Sequence, residues 1–166
     1  MACPYFRPTS PLSWANWQGK LRPPLGEFYG GECTACGDDA FSPAASLLEN
    51  CNLGYAAGEC AHFPKTGGPD ALRFAVSGDE SGVVRISYSY EQAHLPCRHG
   101  VLEYLRAREC WKEPHAASLL QQQAEAYLRS YLRWKESQTA PSAAGVESRA
   151  PGAAQTQLVS LGKVRP

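Results

Sequence analysis

The sequence has no run of about 18 apolar residues, so no transmembrane helix is expected. It also has no excess of either charge, with 16 Lys and Arg against 16 Asp and Glu. A chain of zero formal net charge, only 19% charged, has no long-range field to draw it toward nucleic acid or an acidic membrane surface. Its Lys and Arg residues are scattered, without a basic run or an interleaved aromatic stripe. Neither nucleic-acid binding nor membrane insertion is expected. The opening Met1-Ala2-Cys3-Pro4-Tyr5-Phe6-Arg7-Pro8 lacks the basic start and apolar stretch of a secretory signal, and Cys3 lacks a lipoprotein leader. A cytoplasmic location is the resulting expectation. Catalytic signatures are missing as well: G-x-S-x-G, H-E-x-x-H, the P-loop and G-x-G-x-x-G do not occur. The chain reads as a binding or electron-transfer protein rather than an enzyme.

Against these absences stand seven cysteines, at 3, 33, 36, 51, 60, 97 and 110. The odd number forbids complete pairing within the chain, and in a reducing compartment clustered cysteines serve as metal ligands or reactive thiols more often than as disulfides. Five fall in the first 60 residues. Cys33-Thr34-Ala35-Cys36, then Cys51, then Cys60 give C-x2-C-x14-C-x8-C, with Cys3 as a fifth candidate. Two-residue spacing lets both sulfurs of a loop face one centre while intervening amides turn toward them and stabilise their charge. Cys3 is followed by Pro4-Tyr5-Phe6, and Cys60 by Phe63-Pro64. That resembles the Cys-Pro ending of bacterial ferredoxin cluster motifs, although the full C-x2-C-x2-C run is absent. In general character the chain resembles small bacterial cysteine-rich proteins.

A [4Fe-4S] cluster needs four thiolates. Two sets qualify, Cys33, Cys36, Cys51, Cys60 and Cys3, Cys33, Cys51, Cys60. The second is preferred because it anchors an N-terminal segment that lacks periodicity. Iron–sulfur is placed before zinc because structural zinc sites usually come as two short knuckles and only one short pair is present. Cys97 and Cys110 stand apart and are expected to be buried as small hydrophobes. His62 is expected at the surface. His94 and His99, flanking Cys97, suggest a mixed site only weakly.

The predicted fold is α+β. Residues 1–137 form one domain, with a cysteine-rich, loop-dominated region over 1–68 and a β-hairpin with two helices over 69–137. Residues 138–166, rich in Ala, Ser, Gly, Pro and Gln, are expected to be a flexible tail. Pro and Gly punctuate residues 1–40, where no ladder is expected. Ser42 and Pro43 open a helix ending at Gly54. Leu72, Phe74 and Val76 alternate with polar positions, as do Val84, Ile86, Tyr88 and Tyr90, with a turn over Ser77–Gly82. Val101, Leu102 and Leu105 predict a helix over 99–111. Leu120, Ala124, Tyr127, Leu128 and Tyr131 predict an amphipathic helix over 115–135.

The functional expectation is a small iron–sulfur protein in electron transfer, or an accessory redox subunit working with a protein partner. Tyr5, Phe6, Phe28, Tyr29, Tyr55 and Phe63 would shield the cluster. The alternatives are a zinc-stabilised interaction module and a thiol oxidoreductase using Cys33 and Cys36.

Overall fold

The two alternating runs pair as the first two strands of a four-stranded antiparallel sheet in the computed structural model, which describes residues 1–13, 23–37, 40–54, 56–65 and 67–139. After a separate pair of strands, β1 (Phe6–Pro11) and β2 (Tyr29–Cys33), the sheet runs in chain order, with β3 (Ala71–Glu80), β4 (Val83–Gln92), β5 (Leu95–Leu105) and β6 (Cys110–Trp111) as successive neighbours. Period-2 patterning puts Leu72, Phe74, Val84, Ile86 and Leu102 on one face. There they meet Leu120, Ala124 and Leu128 of the long helix α2 (Ser118–Thr139) in one buried core. Phe74 stacks on Tyr127 at 5.6 Å between ring centroids. Each large side chain buried this way contributes about 1.5–3 kcal/mol of transfer free energy.

Several expected boundaries move. The β3–β4 turn is only Ser81-Gly82, both with positive φ. Such a two-residue turn matches the right-handed twist of the strands, so pairing continues past Ser77 to Glu80. The helix expected over 99–111 is instead β5, a short 3₁₀ turn at Arg106–Arg108, and β6. Leu102 and Tyr104 alternate with exposed Val101, a pattern that three apolar residues at 101, 102 and 105 did not distinguish from a helix. Among the described residues, the part after β3 therefore carries one α-helix rather than two. That helix also extends through Thr139, so Gln138 and Thr139 belong to it and not to the tail. The remainder of the expected tail, 140–166, lies outside the described residues, as do Trp14, Trp17, Asp38, Asp39 and Tyr55.

The N-terminal region is more ordered than its composition predicts. Two strands, β1 (Phe6–Pro11) and β2 (Tyr29–Cys33), pair antiparallel, with Phe6 opposite Cys33 and Pro8 opposite Gly31. Prolines are tolerated because a two-stranded ladder has free edges for positions lacking an N–H. Gly31 is required by packing: a β-carbon there would lie 2.7 Å from the Phe6 ring. The expected helix appears as α1 (Ala45–Leu53), starting later than Ser42 and stopping at Gly54 with positive φ. Ala2 exchanges both backbone hydrogen bonds with Leu72, each 2.9 Å, which fastens the N-terminus to the edge of β3. Among the described residues no helix is long and apolar enough to cross a membrane.

One polar clamp ties the sheet to α2. Asp79 on β3 accepts from Arg106 at 2.8 Å, from the Tyr131 hydroxyl at 2.7 Å and from Lys135. Desolvation opposes its ionisation, but the bonds from Lys135, Tyr131 and Arg106 outweigh it and hold the carboxyl at about 2, below its ordinary 3.8. A depressed carboxylate stabilises the fold above its unfolded pKa, and that contribution is lost as pH falls through the folded value. The urea midpoint is therefore expected to drop between about pH 4 and pH 2. In Asp79→Asn this part of the acid limb should be flattened; an unchanged limb would mean the clamp contributes nothing to stability.

Candidate metal centre

Four of the seven cysteines converge from separate segments. Cys3 lies in the turn before β1, where its amide donates to the Cys51 carbonyl at 3.0 Å and its carbonyl accepts from the Phe6 amide at 3.1 Å. Cys33 ends β2 opposite Phe6, and its backbone pairs both ways with Phe41 at 2.8 and 3.2 Å. Thr34 donates both its amide and its hydroxyl to the Tyr5 carbonyl, holding the Cys33 strand end against the Cys3 turn. Cys51 occupies the last turn of α1. Cys60 follows a tight turn in which its amide donates to the Ala56 carbonyl at 2.8 Å. Its own carbonyl accepts from Phe63, whose ring meets Tyr5 edge-on at 5.3 Å.

Burial separates these four from the rest. Cys3, Cys33 and Cys51 are only 5%, 6% and 5% exposed, and Cys60 is half-buried. Cys36 is exposed on the turn between Cys33 and Phe41. Cys97 and Cys110 are exposed too, contrary to their expected burial. Cys97 lies on the part of β5, residues 95–99, that is exposed along its whole length, and Cys110 on the two-residue edge strand β6, so neither reaches the core. All seven are free thiols.

The electrostatics express the same convergence. Burial first, then the neighbouring Cys51, Cys33 and Cys60, against a hydrogen bond from the Tyr5 amide, together push the Cys3 thiol up to about 12. Burial, with smaller contributions from Cys33 and Cys60, likewise raises Cys51 to about 12. Cys33 is raised by burial, opposed by a hydrogen bond from the Ala35 amide, and raised again by Cys60 and Cys36. Thiolates so placed repel one another, and a bound cation would invert that balance. The amides of Tyr5 and Ala35, each two residues beyond its cysteine, are the N–H···S bonds that two-residue spacing favours. Among the described residues, no group of three or more His, Cys, Asp or Glu side chains is arranged to hold a metal ion.

Two polar residues that the sequence reading passed over build the back of the nest. Asn52 is 1% exposed. Its Oδ1 accepts from the Tyr29 amide at 2.9 Å, and its Nδ2 donates to the carbonyls of Tyr29 at 3.0 Å and Leu48 at 2.9 Å. The side chain thus replaces a strand neighbour for Tyr29 and fixes the helix turn carrying Cys51. Gln123 of α2, 0% exposed, donates through Nε2 to the carbonyls of Cys3 at 2.9 Å and Phe6 at 2.6 Å. Its Oε1 has no partner among the described residues. The available signal was a Gln three residues after Leu120, on the buried stripe of an otherwise clear amphipathic helix.

Of the aromatic residues expected to shield a cluster, Tyr5, Phe6 and Phe63 border the nest. Phe28 and Tyr29 are buried, and the Tyr29 hydroxyl faces away from it, toward Ala126 and Ser130 of α2. His62 is exposed and contacts the Phe41 ring. His94 forms the β4–β5 turn with Ala93, both at positive φ, and joins no metal-ligating group with Cys97 and His99. The half-buried Cys60 opens on a cleft of ≈ 640 Å³ lined in part by Phe63, Lys65, Asp70 and Gln92. No protein-family model matches the chain, and no curated protein or solved structure matches it either.

Proposed function

We propose that Cys3, Cys33, Cys51 and Cys60 ligate an iron–sulfur cluster, [4Fe-4S] in type, and that the protein serves in electron transfer or as an accessory redox subunit. The observation that carries this reading is that four free thiols from four segments lie near enough for their charges to raise the pKa of the three that are buried, although they are not grouped as a ready metal site. Burying thiols together gains little over burying ordinary hydrophobes, whereas four soft sulfur donors suit a cluster or zinc. A cluster is a larger guest than a single ion: its ligand sulfurs stand about 6–7 Å apart, against just under about 4 Å around zinc. When bound, such a group supplies reversible one-electron transfer. The chain's own residues would hold it, exclude water through Tyr5, Phe6 and Phe63, and donate the Tyr5 and Ala35 amides to the sulfurs of Cys3 and Cys33. Those amide bonds favour the thiolate and raise the reduction potential.

The thiol-oxidoreductase reading has less support. Cys33 ends strand β2 and Cys36 lies on the exposed turn after it, not at the strand–helix junction that lowers the pKa of a nucleophilic thiol.

The test is purification and reconstitution under anaerobic conditions. Iron and acid-labile sulfide are expected at about four of each per chain, with broad visible absorption that bleaches on reduction and a paramagnetic resonance signal in the reduced state. A colourless protein without iron or sulfide would end the proposal; one tightly held zinc without a redox signal would replace it with a zinc-stabilised interaction module.

A further inference from the structure

A second group of polar side chains, with Cys97 among its neighbours, lies apart from Cys3, Cys33, Cys51 and Cys60, on β4, β5 and the segment before α2. Tyr88 and Tyr90 of β4 stand edge-to-face at 6.2 Å, and His115 meets Tyr88 edge-to-face at 5.5 Å. Arg98 of β5, opposite Tyr90 in the ladder, lies over the Tyr90 ring at 4.5 Å. Together with His99 they line a cleft of ≈ 370 Å³ whose lining includes no carboxylate, a size in the range of small-molecule sites.

Two features aim this cleft at a negative charge. Arg7, Arg73, Arg85, Arg106, Arg129 and Arg133 each pair with a carboxylate. Arg98, like Arg108, pairs with none among the described residues; what sets it apart is that its guanidinium is laid on the Tyr90 ring, which fixes its plane and leaves its N–H edge exposed. The second feature is the direction of a proton. The Ala117 amide donates to His115 Nδ1 at 3.0 Å, so Nδ1 is the acceptor and the neutral ring carries its hydrogen on Nε2. Nε2 lies 3.2 Å from the Tyr88 hydroxyl oxygen, which therefore accepts there and keeps its own hydrogen to donate elsewhere. The placement of Tyr88 is built in by its partner across the ladder, Gly100. A β-carbon at Gly100 would lie 2.6–2.8 Å from the outer atoms of the Tyr88 ring, so any other residue would displace the hydroxyl.

We propose that this cleft binds a small oxyanion, a carboxylate or phosphate carried on a metabolite-sized molecule, with Arg98 and the Tyr88 hydroxyl as its donors. The site is independent of the cysteine nest. The probes are inorganic phosphate and benzoate, each titrated into the full chain at constant ionic strength with chloride as control and followed by amide NMR. Saturable shifts at residues 97–100 and 115–117 are expected with at least one probe. Which probe saturates assigns the headgroup. Arg98→Met should weaken binding by about tenfold or more, and Tyr88→Phe, which keeps the ring over Gly100, by about three- to tenfold. Shifts that never saturate with either probe, or equal affinity in both variants, would overturn the site and leave Arg98 as a side chain that merely covers the Tyr90 ring.

Discussion

Replacing Cys51 with serine is expected to leave the reconstituted protein with almost no iron or sulfide, while replacing Cys36 with serine leaves loading unchanged. The contrast follows from position. Cys51 is held at 5% exposure by the backbone bond from Cys3 and by the turn that Asn52 fixes, so a hydroxyl there replaces a thiolate no neighbour can substitute. Cys36 is two residues from Cys33 yet exposed on a turn. Because binding free energy at such a centre is also folding free energy, Cys51→Ser should lose most of the added resistance to urea that the loaded parent shows over its apoprotein. Far-UV circular dichroism of both apoproteins checks that serine has not unfolded the chain. Loss of iron in Cys36→Ser with retention in Cys51→Ser would refute the ligand set outright.

The largest effect expected on the apoprotein belongs to Asn52. Asn52→Leu preserves size but leaves the amide and carbonyl of Tyr29 and the carbonyl of Leu48 without the partners they have at 2.9–3.0 Å. A buried polar group stripped of its hydrogen bond costs about 1–3 kcal/mol. With relaxation and some offset from the added apolar surface, a loss of about 3–5 kcal/mol is expected, a large share of the stability of a domain this size. Urea denaturation in reductant and chelator measures it. A loss below about 1 kcal/mol would mean that water reaches Tyr29 and the pairing is dispensable. Asn52→Asp separates the roles of the two ends, because it keeps the acceptor for the Tyr29 amide and sets an oxygen against the Tyr29 carbonyl.

The parts legible in the sequence are those where one periodicity dominates. Leu72, Phe74 and Val76 against Val84, Ile86 and Tyr88 admit only a strand pair, and the stripe through Leu120, Ala124 and Leu128 admits only a helix. Residues 99–105 fit either pattern. The choice was made by the turn before them, Ala93-His94, whose positive φ values occur on residues with no turn signature. The β1–β2 ladder was hidden because Pro8 and Gly31, usually breakers, face each other and Gly31 makes room for Phe6. Among the cysteines, spacing singles out Cys33 and Cys36, but tertiary burial groups Cys33 with Cys3, Cys51 and Cys60 instead. Burial of that kind depends on Gln123 and Asn52, whose partners are Cys3, Phe6 and Tyr29, 120, 117 and 23 residues away in sequence.

The reach of Gln123 also has a kinetic meaning. The cysteine segment leaves the ribosome before α2, and the side chain that fastens Cys3 and Phe6 is made some 120 residues later. The Tyr29 hydroxyl waits on Ala126 and Ser130 in the same way. Contacts this distant in sequence slow folding, since loop closure must precede the gain. The nascent cysteine segment is therefore expected to keep its thiols accessible until α2 has emerged, and to close around them only then.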